Sequence, residues 1–177
     1  MKFNEPLFWK SKNFVSILLL PISIFFQIVI KIFNNFVNKK FFEQPIICVG
    51  NIYVGGTGKT PISIEIFKIL KKFKVKSIFI KKNYFKHKDE IRLLSKIGPI
   101  INLNSRFKSL EIAQKKKFKS AIIDDGLQDK SLEYDLKIVC FDKKNFIGNG
   151  KLIPAGPLRE KFDSLKKYDI VFLNGLG

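Results

Sequence analysis

The sequence predicts an α/β fold, a largely parallel sheet flanked by helices, and three observations predict it. From Pro45 onward, short apolar runs alternate with stretches of helical spacing, the pattern left by parallel strands joined through crossover helices. The first run, Ile46-Ile47-Cys48-Val49, passes directly into a Gly-rich turn that ends in Gly58-Lys59-Thr60-Pro61 and opens a helix. A later run, Ala121-Ile122-Ile123, ends in two carboxylates, Asp124 and Asp125. Ligands of open α/β sheets collect at such C-terminal strand ends.

Taken in order, the chain begins with its most hydrophobic stretch, FVSILLLPISIFFQIVI over 14–30, with Lys10 and Lys12 before it and Lys31, Lys39 and Lys40 after it. Its 17 residues are interrupted by Ser16, Pro21, Ser23 and Gln27 and fall short of the roughly 20 apolar residues that a bilayer core requires. No small-residue cleavage site follows, which argues against a removed signal peptide. The expected element is a helix lying in or dipping into a lipid leaflet, held by apolar area and flanking lysines; a buried core helix and a single-pass anchor are the alternatives. Strands are expected at 46–49, 75–80, 99–103, 121–124, 136–141 and 170–173, where Ile, Val and Phe run between polar boundaries. Helices are expected at 61–73, 89–96 and 106–117, with the lysine runs at 71–76 and 115–119 as solvated helix ends. The organisation that follows is a membrane-associated hydrophobic helix with a basic linker over 1–44 and a core domain over 45–177.

With 177 residues and 46% hydrophobic content, the chain supports one ordinary domain plus an appendage. The formal net charge of +18 rests almost wholly on lysine, since Arg92, Arg106 and Arg159 are the only arginines. Bidentate recognition of bases and phosphates favours arginine, so the charge is not taken as a nucleic-acid signal and no nucleic-acid partner is expected. Cys48 and Cys140 sit in apolar runs without metal-ligand spacing and read as core residues. The single histidine, His87, lies in a Lys-rich stretch and reads as a solvated loop residue.

The turn carries the chemistry. Glycines let backbone N–H groups approach a phosphate, a lysine reaches the β- and γ-oxygens, and a hydroxyl after it suits Mg²⁺, with the helix start adding its positive end. Five residues before Gly58 stands Tyr53 where the strict pattern has glycine, so the loop is a variant and the fold P-loop NTPase-like. The nucleotide set is Tyr53, Val54, Gly55, Gly56, Thr57, Gly58, Lys59 and Thr60, with ATP and Mg²⁺ as expected cofactors. Asp124 and Asp125 suit the acid that holds or orients the metal. In the Gly- and Pro-rich stretch 148–160, Arg159 suits a phosphate clamp, and Glu160 either a metal contact or a place in the first turn of a following helix.

At these residues the chain resembles the tetraacyldisaccharide 4'-kinases of lipid A biosynthesis in Gram-negative bacteria. The resemblance rests on the hydrophobic N-terminal segment, on Val49-Gly50-Asn51 through Gly55-Gly56-Thr57-Gly58-Lys59-Thr60-Pro61, on Asp124-Asp125-Gly126-Leu127-Gln128, and on Gly148-Asn149-Gly150 with Leu152-Ile153-Pro154-Ala155-Gly156-Pro157-Leu158-Arg159-Glu160. It implies ATP-dependent phosphorylation of the 4'-hydroxyl of a tetraacylated disaccharide 1-phosphate at the cytoplasmic face of the inner membrane. It places Thr60, Asp124, Asp125 and Gln128 near Mg²⁺–ATP, with Arg159 and Glu160 in the same cleft, and Lys59 and Arg159 among the catalytic groups. The family's Gly-Asp-Glu block is matched by Lys88-Asp89-Glu90, making Asp89 the candidate base, or the N-cap of its helix, or both. The family's Ser-Arg-Gly-Tyr-Gly reads Lys81-Lys82-Asn83-Tyr84-Phe85 here, and Asp129-Lys130-Ser131 stands where relatives usually carry His and Arg. The resemblance also leads to the expectation that the family's C-terminal domain, with its catalytic histidine, is missing. The lipid A precursor and the inner-membrane surface are the expected partners, and oligomeric state is left open. The alternative reading is a nucleotide-binding, membrane-associated module without transferase activity.

Overall fold

The structure is a computed structural model and describes residues 5–11, 13–84, 88–144 and 146–175. It divides into two compact units, one made of Met1–Val37, Asn51–Thr57 and Val139–Gly177, the other of Asn38–Gly50 and Gly58–Ile138.

The second unit holds β1 (Ile46–Gly50), α3 (Lys59–Lys72), β2 (Ser77–Lys82), α4 (Lys88–Ile97), β3 (Ile100–Leu103), α5 (Arg106–Lys115), β4 (Ser120–Asp124) and the start of β5 (Leu136–Asp142). Its described pairs are all parallel: β1 on β4 from Ile46↔Ala121 to Val49↔Asp124, β2 on β4 from Ser77↔Ser120 to Ile80↔Ile123, and β2 on β3 from Phe79↔Ile100 to Lys82↔Leu103. Every residue of β4 is buried, which explains its unbroken apolar run; helices on both faces leave no side to alternate with polar residues. On α3, Ile64 and Phe67 are buried one turn apart, and Phe67 meets Phe79 of β2 with ring centroids 4.7 Å apart. Lys74 and Lys117, both at φ 57, turn the chain out of α3 and α5, which ends α5 two residues before the position expected. Strand β2 runs on past the expected residue 80, because Lys81 is buried by ion pairing rather than turned to water.

The first unit holds a 3₁₀ turn at Leu7–Trp9, α1 (Phe14–Leu18), α2 (Leu20–Asn35), the end of β5, a second 3₁₀ turn at Phe162–Lys167 and β6 (Ile170–Asn174). Strand order is β3-β2-β4-β1-β5-β6. The hydrophobic stretch is thus two helices instead of one. Asn13 and Ser16 form a capping box for α1, and Pro21 stands in the first turn of α2, where its fixed φ suits a fresh start. The core-helix alternative fails: Phe14, Leu18, Phe25, Phe33 and Phe36 are all exposed, while the buried residues of these helices are Ser16 and Ser23. Among the described residues, no helix is long and apolar enough to cross a membrane. The two serines face the Gly- and Pro-rich stretch. Ser23 Oγ accepts from Ala155 N at 3.0 Å and lies 3.0 Å from Leu152 O, and Lys151 Nζ donates to Ser16 Oγ at 2.8 Å. Trp9 Nε1 donates to Pro154 O at 3.1 Å, and the Asn149 amide donates to Phe8 O and Ala155 O at 2.9 Å each.

Candidate functional site

The centre of the site lies where β1 and β4 of the second unit run side by side. Gly58, at φ 80, is the N-cap of α3, a left-handed conformation that glycine adopts without a Cβ clash. It leaves the first N–H groups of α3 without a side-chain cap, the arrangement that receives phosphate. Lys59 and Thr60 follow as the first helical residues. Thr60 Oγ1 donates to Asp124 Oδ2 at 2.8 Å, and Lys59 Nζ stands 3.6 Å from Asp125 Oδ1. The parallel register that sets Val49 opposite Asp124 is what brings residues so distant in sequence together. Asp125 then leaves the strand at φ 67, with its N–H bonded to Val49 O at 2.8 Å.

Asp124 is fully buried, and its two oxygens are used differently. Oδ2 receives both Thr60 Oγ1 and Lys81 Nζ, the latter at 2.6 Å; Oδ1 is buried and accepts no hydrogen bond among the described residues. Lys81 Nζ also pairs with Glu90 Oε2 at 2.5 Å. Burial alone would drive the Lys81 ammonium toward neutrality; the Asp124 and Glu90 carboxylates outweigh it and hold its pKa above the ordinary lysine value.

The turn after Asp125 is braced from α5. Arg106 Nη2 donates to the Asp125 carbonyl and Nη1 to Asp129 Oδ2 at 3.1 Å, while Tyr134 Oη donates to Gly126 O at 2.9 Å. Burial by itself would raise the Asp129 carboxyl, but the hydrogen bond from Ser131 and the Arg106 guanidinium hold it below the usual carboxylate range. A depressed carboxyl adds stability that is complete above its unfolded value and is lost as pH falls through the folded one. Asp129→Asn is therefore expected to be less stable than the parent at pH 6, and the gap between their urea midpoints to close as pH drops below about 4. A gap that stays constant down to pH 3 would refute this assignment.

Of the remaining expected residues, Gln128 is exposed beyond this turn, and Asp89 is exposed in the first turn of α4. Because α4 begins at Lys88, Asp89 is a first-turn acid and not the N-cap. Tyr53, Val54, Gly55, Gly56 and Thr57 belong to the first unit, as do Arg159 and Glu160. There the loop pairs with the Gly- and Pro-rich stretch: Val54 N donates to Pro157 O at 2.9 Å and Arg159 N to Ile52 O at 2.7 Å. Tyr53 Oη donates to Glu5 Oε2, and burial, then this carboxylate, pushes the phenol's pKa up. Glu160 Oε2 accepts from Tyr168 Oη at 2.9 Å. Cys48 and Cys140 are buried, and burial pushes the Cys48 thiol far up, as befits a core residue. His87 and Phe85 lie outside the described residues.

Sequence reasoning missed Lys81, Glu90 and the bracing role of Arg106. A lysine continuing the apolar run Ile78-Phe79-Ile80, and an arginine in a chain with only three, were the available signals. No cluster of three or more His, Cys, Asp or Glu side chains is present among the described residues, which excludes there a cage built wholly from such ligands. Mg²⁺ bound with nucleotide needs less, one or two carboxylates beside phosphate and water oxygens. The uncommitted Asp124 Oδ1 next to Thr60 Oγ1 fits that requirement.

A family model described as tetraacyldisaccharide-1-P 4'-kinase matches residues 15–177. The chain is 49% identical over 179 residues to a tetraacyldisaccharide 4'-kinase of Pelagibacter ubique, covering 99% of this chain and 56% of that one. It is 34% identical over 192 residues to one of Rickettsia bellii, covering 99% and 60%. It is also similar to a crystal structure of the "apo" form of LpxK from Aquifex aeolicus in complex with ATP, with TM-score 0.76, 28% identity, and coverage of 90% of this chain and 59% of that one. The chain thus spans somewhat more than half the length of these relatives.

Proposed function

Since the chain belongs to the tetraacyldisaccharide-1-P 4'-kinase family, we propose that it transfers the γ-phosphoryl group of ATP to the 4'-hydroxyl of a tetraacyldisaccharide 1-phosphate, a lipid A precursor, at the cytoplasmic face of the inner membrane. One observation carries this reading: Thr60 Oγ1 and Asp124 Oδ2 are hydrogen-bonded at 2.8 Å beside the N-terminus of α3, with Asp124 Oδ1 left uncommitted. The ATP complex of the Aquifex relative supports it.

In this reading the first N–H groups of α3 and the Lys59 ammonium bind the phosphates, and Thr60 with Asp124 holds the metal, Asp125, Gln128 and Glu160 contributing to its surroundings. Bound Mg²⁺ would supply charge neutralisation across the β- and γ-phosphates. Lys59 stabilises the charge that develops on the transferred group, and Arg159 acts as a phosphate clamp. Asp89 accepts the sugar hydroxyl proton as the oxygen–phosphorus bond forms. The exposed apolar residues of α1 and α2 rest in the lipid interface, keeping the chain where an acylated substrate resides. The expected result is transfer of radiolabel from γ-labelled ATP to the disaccharide 1-phosphate in mixed micelles with Mg²⁺. No labelled lipid at saturating ATP and Mg²⁺ would refute the transferase reading.

A further inference from the structure

Among the described residues Lys81 is the one buried lysine, and the proposed mechanism gives it no task. Its side chain is 2% exposed and lies between two carboxylates, 2.6 Å from Asp124 Oδ2 and 2.5 Å from Glu90 Oε2. Asp124 is the acid proposed to hold Mg²⁺, so this chain carries a cation of its own against its metal-binding acid. A buried carboxylate with no counter-charge is strongly disfavoured. Two cations on one carboxylate repel each other, the more so where little water intervenes. Glu90 offers Lys81 a second anion, and it is half exposed at 45% where Asp124 is at 0%.

We infer that Lys81 is a tethered counter-ion that competes with Mg²⁺ for Asp124, and that Glu90 sets the strength of the competition by drawing the ammonium away. The inference rests on the kinase reading. In the metal-free chain Lys81 neutralises Asp124; when Mg²⁺ and nucleotide bind, the Lys81–Asp124 contact weakens and Glu90 keeps the ammonium paired. Lys81 is accordingly a positioning residue that tunes the Mg²⁺ requirement, and it links β2 to the helix that carries Asp89.

Two variants pull in opposite directions. Lys81→Met removes the competitor, and the Mg²⁺ concentration that half-saturates binding of the ATP analogue AMP-PNP, read by calorimetry, is expected to fall about tenfold, the size of an ordinary coupling between sites. Glu90→Gln leaves Lys81 with Asp124 alone, and the same concentration is expected to rise several-fold. Lys81→Met is also expected to melt roughly 10 °C lower in EDTA, with most of that loss restored by Mg²⁺ and AMP-PNP. A merely structural lysine would give the same melting loss with and without metal. Should Lys81→Met not fold even with Mg²⁺, the rise in Glu90→Gln alone decides the matter. Variants whose Mg²⁺ dependence matches the parent overturn the inference and leave the kinase reading standing. A parent chain that binds no AMP-PNP at any Mg²⁺ concentration overturns both.

Discussion

Lys59→Met is expected to lower the rate of phosphoryl transfer by about 10²–10³-fold while changing the melting temperature little. The two halves of that expectation have separate structural grounds. Lys59 Nζ is 3.6 Å from Asp125 Oδ1, beyond hydrogen-bond reach, and the Asp125 turn is fixed independently by its N–H to Val49 O and by Arg106 on its carbonyl. Removing the lysine charge therefore leaves the turn in place. Its proposed catalytic task, by contrast, does not pass to the two buried cations described in the second unit. Lys81 is held between Asp124 and Glu90, and Arg106 is committed to Asp125 O and Asp129. Single-turnover transfer measured beside a thermal melt separates the two effects. Transfer within a factor of three of the parent would remove Lys59 from the phosphate site, and a melting loss as large as that of a core substitution would make it structural.

The strands of the second unit were legible because a sheet covered on both faces writes continuous apolar runs into the sequence, as in Ala121-Ile122-Ile123. The Gly-rich turn into α3 and the acids at the end of β4 were legible because a glycine at a helix start and a change from apolar to acidic residues at a strand end both show in local residue type and spacing. What stayed hidden was carried by long-range pairs. Lys81 meets Asp124 across 43 positions and Ser23 meets Leu152 across 129, and such contacts leave no periodic trace. Lysine in a chain of lysines reads as solvated, so the burial of Lys81 could be found only from its partners. The split of the hydrophobic stretch into α1 and α2 was half legible: Pro21 marked a helix start, but nothing local revealed that the serines, and not the phenylalanines, turn inward.

That inversion makes Gly156 the position where one methyl group should do the most damage. A Cβ added there would run into Asn149 Oδ1 and the carbonyl oxygen of Lys151, both far inside van der Waals contact. Neither can yield cheaply. Asn149 is buried, its Oδ1 accepting from Lys151 N and its amide donating to Phe8 O and Ala155 O, while the carbonyl is backbone and accepts from Leu158 N at 3.1 Å. Shifting Asn149 would also disturb the bond from its own N–H to Trp9 O, so strain spreads to the segment that leads into α1. Gly156→Ala is expected to cost about 3 kcal/mol, the upper range for overpacking, or roughly 6–12 °C in melting temperature. Gly56→Ala is the matched control: nothing lies within 4 Å of the point where its methyl group would stand, and its melting temperature is expected to stay within about 2 °C of the parent. The fluorescence of Trp9, the only tryptophan, reports the disturbance directly, since its indole N–H donates to Pro154 O. Parent-like melting and emission in Gly156→Ala would mean that the Gly- and Pro-rich stretch is not fastened to the N-terminal segment in the way these bonds describe.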